Sequence, residues 1–474
     1  MNYFARTAYR ECSASVGCNL RGDVPQYPRK EAPVPSSSLN STRVTEIGAP
    51  IRRFRTLIGA GVGNTLEWYD WSVYAIFAPF FATQFFVGAG PTAALLSTLA
   101  VFAVGFIMRP IGGFLFGWLA DRRGRRFSMT ASMLLMAAGS LVIGVAPNHT
   151  QIGIWAAVIL VAARLSQGLA HGGEIAASYT YIAEIAPPAR RGLWSTSLYV
   201  SVTAGIVLAT LIGAGITSTL GDAAIGDWAW RIPFLFGGLL GLVGLYLRRT
   251  LPETEAFTEE AKLPGEGTGQ SLQSTRDLLR GLAANKVSLV RIVGLTLGVT
   301  VVYYTWAIGI SGFAISAKDV PASGALWASV IANIFFMLTL PVWGLLSDRF
   351  GRKPIFITFS IAFIVLPYPL FESLDDSPVR LALVMMVALF FLGAFVGIMP
   401  AYFAELFPTA VRASGIGVPY SFIVAIFGGT APYVLTSLAG KDLEWIFVLY
   451  TIVLAAIGLI TTVLTPETKG RKLV

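Results

Sequence analysis

The chain has 474 residues, of which 55% are hydrophobic and 13% charged, and its mean hydropathy is +0.67. A soluble protein of this length carries roughly twice that share of charges, so a soluble globular fold is excluded. The net charge of +9 does not mark a nucleic-acid binder, because the basic residues sit in short loops at alternate helix junctions.

Residues 1–50 are polar and rich in Ser, Pro and Arg, without an apolar core of signal-peptide type. They read as a disordered cytoplasmic tail. The two cysteines, Cys12 and Cys18, both lie there and carry no structural role in this reading. Beyond the tail, the uncharged runs predict twelve spans: 56–82, 92–119, 127–146, 151–184, 193–217, 231–249, 289–315, 323–347, 355–371, 379–405, 413–437 and 443–465. A span needs about 20 residues at about 1.5 Å rise. The segments must be helices, since the short alternating strands of a barrel are absent. Pro367 and Pro369 cut the ninth short.

Arginine and lysine set the orientation. One set of loops holds Arg52, Arg53 and Arg55, then Arg122, Arg123, Arg125 and Arg126, then Arg190 and Arg191, then Arg248 and Arg249. The same side continues with Arg349, Arg352 and Lys353, with Arg412, and with Lys469, Arg471 and Lys472. The opposite loops hold only Arg231, Lys318, Arg380 and Lys441. Both termini are therefore expected in the cytoplasm, in the cell or inner membrane.

The two halves repeat. GWLADRRGRR (117–126) matches GLLSDRFGRK (344–353), YIAEIAPPARRG (181–192) matches YFAELFPTAVRA (402–413), and PET recurs at 252–254 and 466–468. A six-helix unit has been used twice. The expected organisation is a tail (1–50), a first bundle (51–249), a cytoplasmic connection (250–288) and a second bundle with a short tail (289–474). Internal repeats with a site between them are how many transporters are built.

The G-x-L-a-D-R-x-G-R-R loop and its echo resemble the hallmark of the major facilitator superfamily. Within it, GNTLEWYDW, VGFIMRPIGGFLFG, ARLSQGLAHGGE, AEIAPPARRG, WAWRIPF and AELFPTAVRASGIG resemble the metabolite:proton symporters. These pieces cover residues 63 to 417. LLSTLAVFAVGFIMRPIGG and AIFGGTAPYVLTSL bring the likeness nearest to that family's 2-oxoglutarate permeases. The resemblance implies alternating access, a proton gradient in place of any cofactor, and a small organic acid as substrate. Carriers of citrate, shikimate, proline and betaine belong to the same family and stand as alternatives. A membrane sensor on a transporter fold is a further alternative, but such proteins add a large soluble domain, and the longest loop here is about 40 residues. No HExxH, GxSxG, CxxC or Walker-type loop is present, so neither an enzyme nor direct ATP drive is expected. The expected partners are substrate, protons and lipid, with no metal and no nucleic acid, and the protein is expected to be a monomer.

Charges inside the spans point to the site. Glu67 lies about 16 Å into the first helix and Asp70 a turn further, on a face that Tyr74 continues. Arg109 lies about 18 Å into the second helix from its cytoplasmic end, and Arg164 about 20 Å down the fourth. Such residues cost about 2.5–3.5 kcal/mol each to insert and are functional candidates by default. Locking helices together is the bland account of them. Two arginines and two acids at one depth favour transport. Arg109 is the expected primary carboxylate ligand through its guanidinium fork. Arg164 is either a second ligand or the holder of Asp70 or Glu67. Glu67 and Asp70 are the expected proton acceptors, since a desolvated carboxylate changes protonation readily when a cation moves nearby.

His171 departs from the small or aliphatic residue that the family usually places before GGE. It lies seven residues after Arg164 on nearly the same stripe of helix and is the third proton-coupling candidate. Glu174 lies deeper, toward a cytoplasmic gate. Tyr303, Tyr304 and Asn333 are the polar candidates of the second half. Trp68, Tyr69, Trp71 and Tyr74 could pack, or form a cation–π cage for a betaine. The resemblance further implies a cytoplasmic latch. Gly117, Asp121, Arg122, Gly124, Arg125 and Arg126 form its first loop, and Asp348, Arg349, Gly351 and Arg352 its second. Glu184 with Arg190 and Arg191, and Glu405 with Arg412, are the matching pieces.

Overall fold

The structure is a computed structural model that describes residues 49–249 and 275–473, apart from Ala89, Gly124, Gly173 and Lys472. Twelve spanning segments follow one another among these residues. In the first half they are α1 (Ala49–Phe85), α2 (Gly90–Arg123), α3 (Arg125–Val145), α4 (Trp155–His171 and Glu174–Ile185), α5 (Arg191–Ala224) and α6 (Arg231–Arg249). In the second half they are α7 (Lys286–Tyr303, Tyr304–Gly309 and Ile310–Ala317), α8 (Ala322–Phe350) and α9 (Arg352–Val365 and Pro367–Glu372). The last three are α10 (Pro378–Val396 and Met399–Glu405), α11 (Arg412–Ile423, Val424–Gly428 and Ala431–Ala439) and α12 (Glu444–Leu464). The tail residues 1–48, with Cys12 and Cys18, lie outside the described residues, as does 250–274 of the expected connection. The rest of that connection is a helix, Thr275–Ala284, leading into α7.

Seven segments (α2, α5, α7, α8, α10, α11 and α12) contain long apolar stretches without further qualification, and α3 and α6 contribute shorter ones. The remaining three are instructive. α1 carries Glu67 and Asp70, α9 breaks ahead of Pro367, and α4 carries Gly172. Gly172 keeps helical backbone angles, and a Cβ there would collide with the carbonyl oxygen of Arg109, so only glycine lets α4 lie directly on α2. Side chains such as Phe114, Leu338 and Leu464 are exposed, forming the apolar outer belt expected against lipid.

The halves meet through paired interfaces. α5 packs along α8, α2 packs along α11, and the second piece of α4 packs against the second piece of α10. Apolar area drives little association between helices in lipid, so close backbone contact must do it. Within the first half the α2–α4 seam is built this way, because a Cβ at Gly168 would strike the carbonyl oxygen of Gly105. Gly168→Ala is therefore expected to reduce the monodisperse fraction of detergent-solubilised protein at least about fivefold, through overpacking against backbone that cannot rotate away. An unchanged size-exclusion profile would show that the two helices can part.

Candidate functional site

α1 turns Glu67, Trp68, Asp70, Trp71 and Tyr74 into the first bundle, all buried. Their spacing of three to four residues forms one helical stripe. Asp70 accepts hydrogen bonds from the hydroxyl of Ser140 on α3 and from Gln167 Nε2 on α4 at 3.0 Å. Gln167 in turn accepts from Arg164 Nη1 at 2.9 Å. Arg164 thus reaches the acid through an amide three residues along its own helix, and the buried carboxylate is compensated without a direct ion pair. Glu67 is paired with Nδ1 of His171.

Trp71 is the hub of the cluster. The guanidinium of Arg109 lies 4.0 Å from its ring centroid and that of Arg164 lies 4.4 Å away. The imidazole of His171 stacks on it at 5.1 Å with a 9° interplanar angle. Arg109 also faces Phe106 at 4.1 Å, and Arg164 faces Tyr74 at 4.2 Å. Desolvated cation–π contacts are worth about 2 kcal/mol or more each, which helps hold two like charges near one indole.

Neither guanidinium is satisfied by these contacts. Arg109 is 2% exposed and Arg164 fully buried, and among the described residues no carboxylate pairs with either. Arg109 gives one hydrogen bond, from Nη1 to the hydroxyl of Tyr304 at 3.4 Å, while its Nε and Nη2 have no partner. Tyr304 comes from the second half, where α7 adopts a π-type turn over Tyr304–Gly309. Such bulges re-aim side chains at functional positions. Arg109 therefore sits at the junction of the halves with two fork donors uncommitted.

The other expected second-half residues behave differently. Tyr303 packs edge-on against Trp68 at 6.0 Å and Tyr199 at 5.8 Å, and its hydroxyl has no partner. Asn333 bonds within its own bundle, to the carbonyl oxygen of Ser329 at 3.0 Å and that of Ala307 at 3.4 Å. It is not joined to the Arg109 cluster. Tyr74 donates to the carbonyl oxygen of Thr98 at 3.1 Å, and the faces of Trp71 expected for a betaine cage are taken by the protein's own cations.

At the ends carrying the basic loops, the ion pairs differ from those expected. Glu184 does not pair with Arg190 or Arg191, nor Glu405 with Arg412. They cross between halves instead. Arg191 Nη1 meets Glu405 Oε1 at 2.9 Å, and Arg412 Nη1 meets Glu184 Oε1 at 2.7 Å. The Nε atoms of the two arginines donate to the carbonyl oxygens of Ala183 and Ala404, one residue before each glutamate. Each arginine is thus anchored on its own half and reaches across with its free end. The motif spacing could not reveal this, because spacing within one half cannot see the other half. Arg190 is exposed and pairs with no described acid.

Asp348 accepts from the backbone N–H groups of Gly192 and Leu193, at 2.8 and 2.9 Å, at the start of α5, where a negative charge suits the helix dipole. It also pairs with Arg352 at 2.7 Å, whose Nη2 lies 3.6 Å from Glu405. Gly351 has φ +106°, and a Cβ there would crowd Glu467. Burial alone would push the Glu467 carboxyl up, but four backbone N–H bonds, from Arg352, Lys353, Thr468 and Lys469, hold it below the usual range. Arg349 is exposed, stacks on Phe350 at 5.3 Å and accepts from Lys469 through its carbonyl oxygen. Gly124 lies outside the described residues. At Gly117, Asp121, Arg122, Arg125, Arg126 and Glu174 the helix backbone is described and the side chains are not.

Four contributors were missed in the sequence. Gln167 carried a signal, standing three residues from Arg164 on the same face. Tyr199 and Tyr420 did too, since they are separated by the 221-residue offset that relates Arg191 to Arg412. Ser140 carried none.

Two six-helix bundles around a cluster of buried arginines and acids, with ion pairs crossing between them on one face, have the architecture of a membrane transporter. Residues 56–294 match the family described as Sugar (and other) transporter, and residues 295–473 match the Major Facilitator Superfamily. The chain belongs to the major facilitator superfamily. It is 37% identical to the alpha-ketoglutarate permease of Escherichia coli (strain K12), over 89% of this chain and 96% of that protein. It is 32% identical to the proline/betaine transporter of the same strain, over 88% and 84%. It is also 32% identical to the citrate-proton symporter of Klebsiella pneumoniae, over 82% and 88%. Among solved structures, the partially occluded inward-open xylose transporter XylE from E. coli matches with a TM-score of 0.66 at 21% identity, covering 89% of this chain and 99% of that one. This last likeness bears on the fold alone.

Proposed function

We propose that this protein is a proton-coupled importer of a small dicarboxylate, with 2-oxoglutarate as its substrate, working by alternating access from an inner membrane in which the basic face is cytoplasmic. The observation that carries the reading is Arg109, a buried guanidinium at the junction of the halves with two unpartnered N–H donors. An uncompensated buried cation is costly, and a substrate carboxylate meeting the fork would relieve it. The likeness to the alpha-ketoglutarate permease supports the choice of acid.

Charge supports coupling. Arg109 and Arg164 against Asp70 and Glu67, with His171 neutral, sum to zero. A dianion entering alone would leave two negative charges in a low-dielectric site, and each accompanying proton removes one of them. Glu67, Asp70 and His171 are the acceptors in this reading. A betaine carrier is less well supported, because the Trp71 ring is already occupied by Arg109, Arg164 and His171.

The test is uptake of labelled 2-oxoglutarate into liposomes holding the purified protein under an inward proton gradient. Accumulation is expected, abolished by a protonophore and competed by other dicarboxylates. Absence of 2-oxoglutarate uptake, with betaine, shikimate or citrate accumulating instead, would overturn the substrate assignment.

A further inference from the structure

The acids of α1 face two separate cavities, and Glu67 lines both. One lies between the halves and includes Glu67, Tyr199 of α5 and Tyr420 of α11. The other is lined by the first half alone: Glu67 and Asp70 of α1, Ser132 and Met136 of α3, Ala170 of α4 and Gly241 of α6. Ser132 stands seven residues into α3, and Gly241 eight residues before the end of α6, so both lie about 10–12 Å from the basic-loop ends of their helices. Glu67 and Asp70 lie deeper. The second cavity therefore extends from the buried acids toward the basic side, to within about 10–12 Å of the helix ends, without passing between the halves. Its polar groups, two carboxylates nine-tenths buried and the Ser132 hydroxyl, offer the two to four partners that an internal water needs. On the opposite side Glu67 meets His171, which stacks on Trp71, whose ring also faces Arg109 and Arg164; Asp70 lies a turn along α1. The second half carries acids only at the ends of its spanning helices, so nothing equivalent is duplicated there.

We propose that this cavity is the proton's exit. The substrate leaves between the halves, while the proton held by the Glu67–His171 pair leaves through the interior of the first bundle toward the basic face. On loading, the pair takes one proton and goes from a carboxylate beside a neutral imidazole to a net neutral pair. On release, the proton passes from Glu67 to water in the cavity and the carboxylate is restored. The route rests on the proton-coupled reading above.

The test uses the full-length protein with Cys12→Ser and Cys18→Ser, into which Ser132→Cys or, as a second variant, Met136→Cys is introduced. A membrane-impermeant cationic methanethiosulfonate reagent is added from either side of the liposome. Labelling is expected from the basic face only. The labelled protein is expected to lose at least tenfold in gradient-driven 2-oxoglutarate uptake, while 2-oxoglutarate exchange, which needs no net proton release, stays within about twofold. No labelling in either variant, labelling from the opposite face alone, or uptake and exchange that fall together or stay unchanged would overturn the route. Wild-type protein that accumulates 2-oxoglutarate with no proton movement in a pH-sensitive dye assay would overturn the coupling itself, and is recognised before any label is added.

Discussion

Arg109→Ala is expected to lower 2-oxoglutarate uptake by about 100-fold or more while leaving the protein folded. Removing one partner of a buried charge pair costs about 3–5 kcal/mol, and every 1.4 kcal/mol is tenfold in affinity. The cost falls on the loaded state alone, because in the structure the guanidinium has no carboxylate partner to lose. What the empty protein forfeits is the contact with Trp71 and Phe106 and one long hydrogen bond to Tyr304. Those losses are offset by the removal of an uncompensated buried cation. The thermal midpoint in detergent is therefore expected to move by only a few degrees. Arg109→Lys keeps the charge but loses the fork, and should fall between the two. Near-normal uptake by Arg109→Ala would remove this residue from the site. Collapse of the fold would instead make it a structural cation.

Glu405→Gln and Glu184→Gln are expected to differ sharply, although the repeat makes them equivalent. The side chain of Glu405 is fully buried beside Arg191, while that of Glu184 is 42% exposed beside Arg412. Breaking a buried pair costs about 3–5 kcal/mol, whereas a pair open to solvent is worth about 0–1 kcal/mol. Glu405 also accepts from Thr468 at 2.5 Å and lies near Arg352, so one substitution disturbs three contacts. Transport by Glu405→Gln is expected to fall at least tenfold, because the state with the basic face closed is depopulated. Glu184→Gln should stay within about threefold. The charge exchange Arg191→Glu with Glu405→Arg should recover part of the loss, which a purely structural defect would not. Equal effects at the two glutamates would show that the crossed pairs do not control the closed state.

These two sites also mark where sequence reading ends. The twelve spans, the six-helix repeat and the arginines and acids at mid-depth were legible, because insertion into a bilayer is decided span by span and a charge within a span stands out against its apolar background. The π-type turn at Tyr304 was not, since a single wide turn within an apolar helix leaves no period of its own in the sequence. The link from Arg164 through Gln167 to Asp70 needed three helices to be placed together.

The ion pairs make the clearest division. The sequence by itself determined which residues recur at the ends with the basic loops, because Glu184 and Arg191 recur as Glu405 and Arg412 at one offset. It also determined that two arginines and two acids lie within the spans of the first half. Only the tertiary structure decided that each arginine pairs with the glutamate of the other half, and that Arg109 reaches Tyr304 of the second half while Arg164 bonds Gln167 within the first. A repeat records the chemistry of one unit. The approach of the two units, which sets every contact between them, depends on packing that no single repeat encodes.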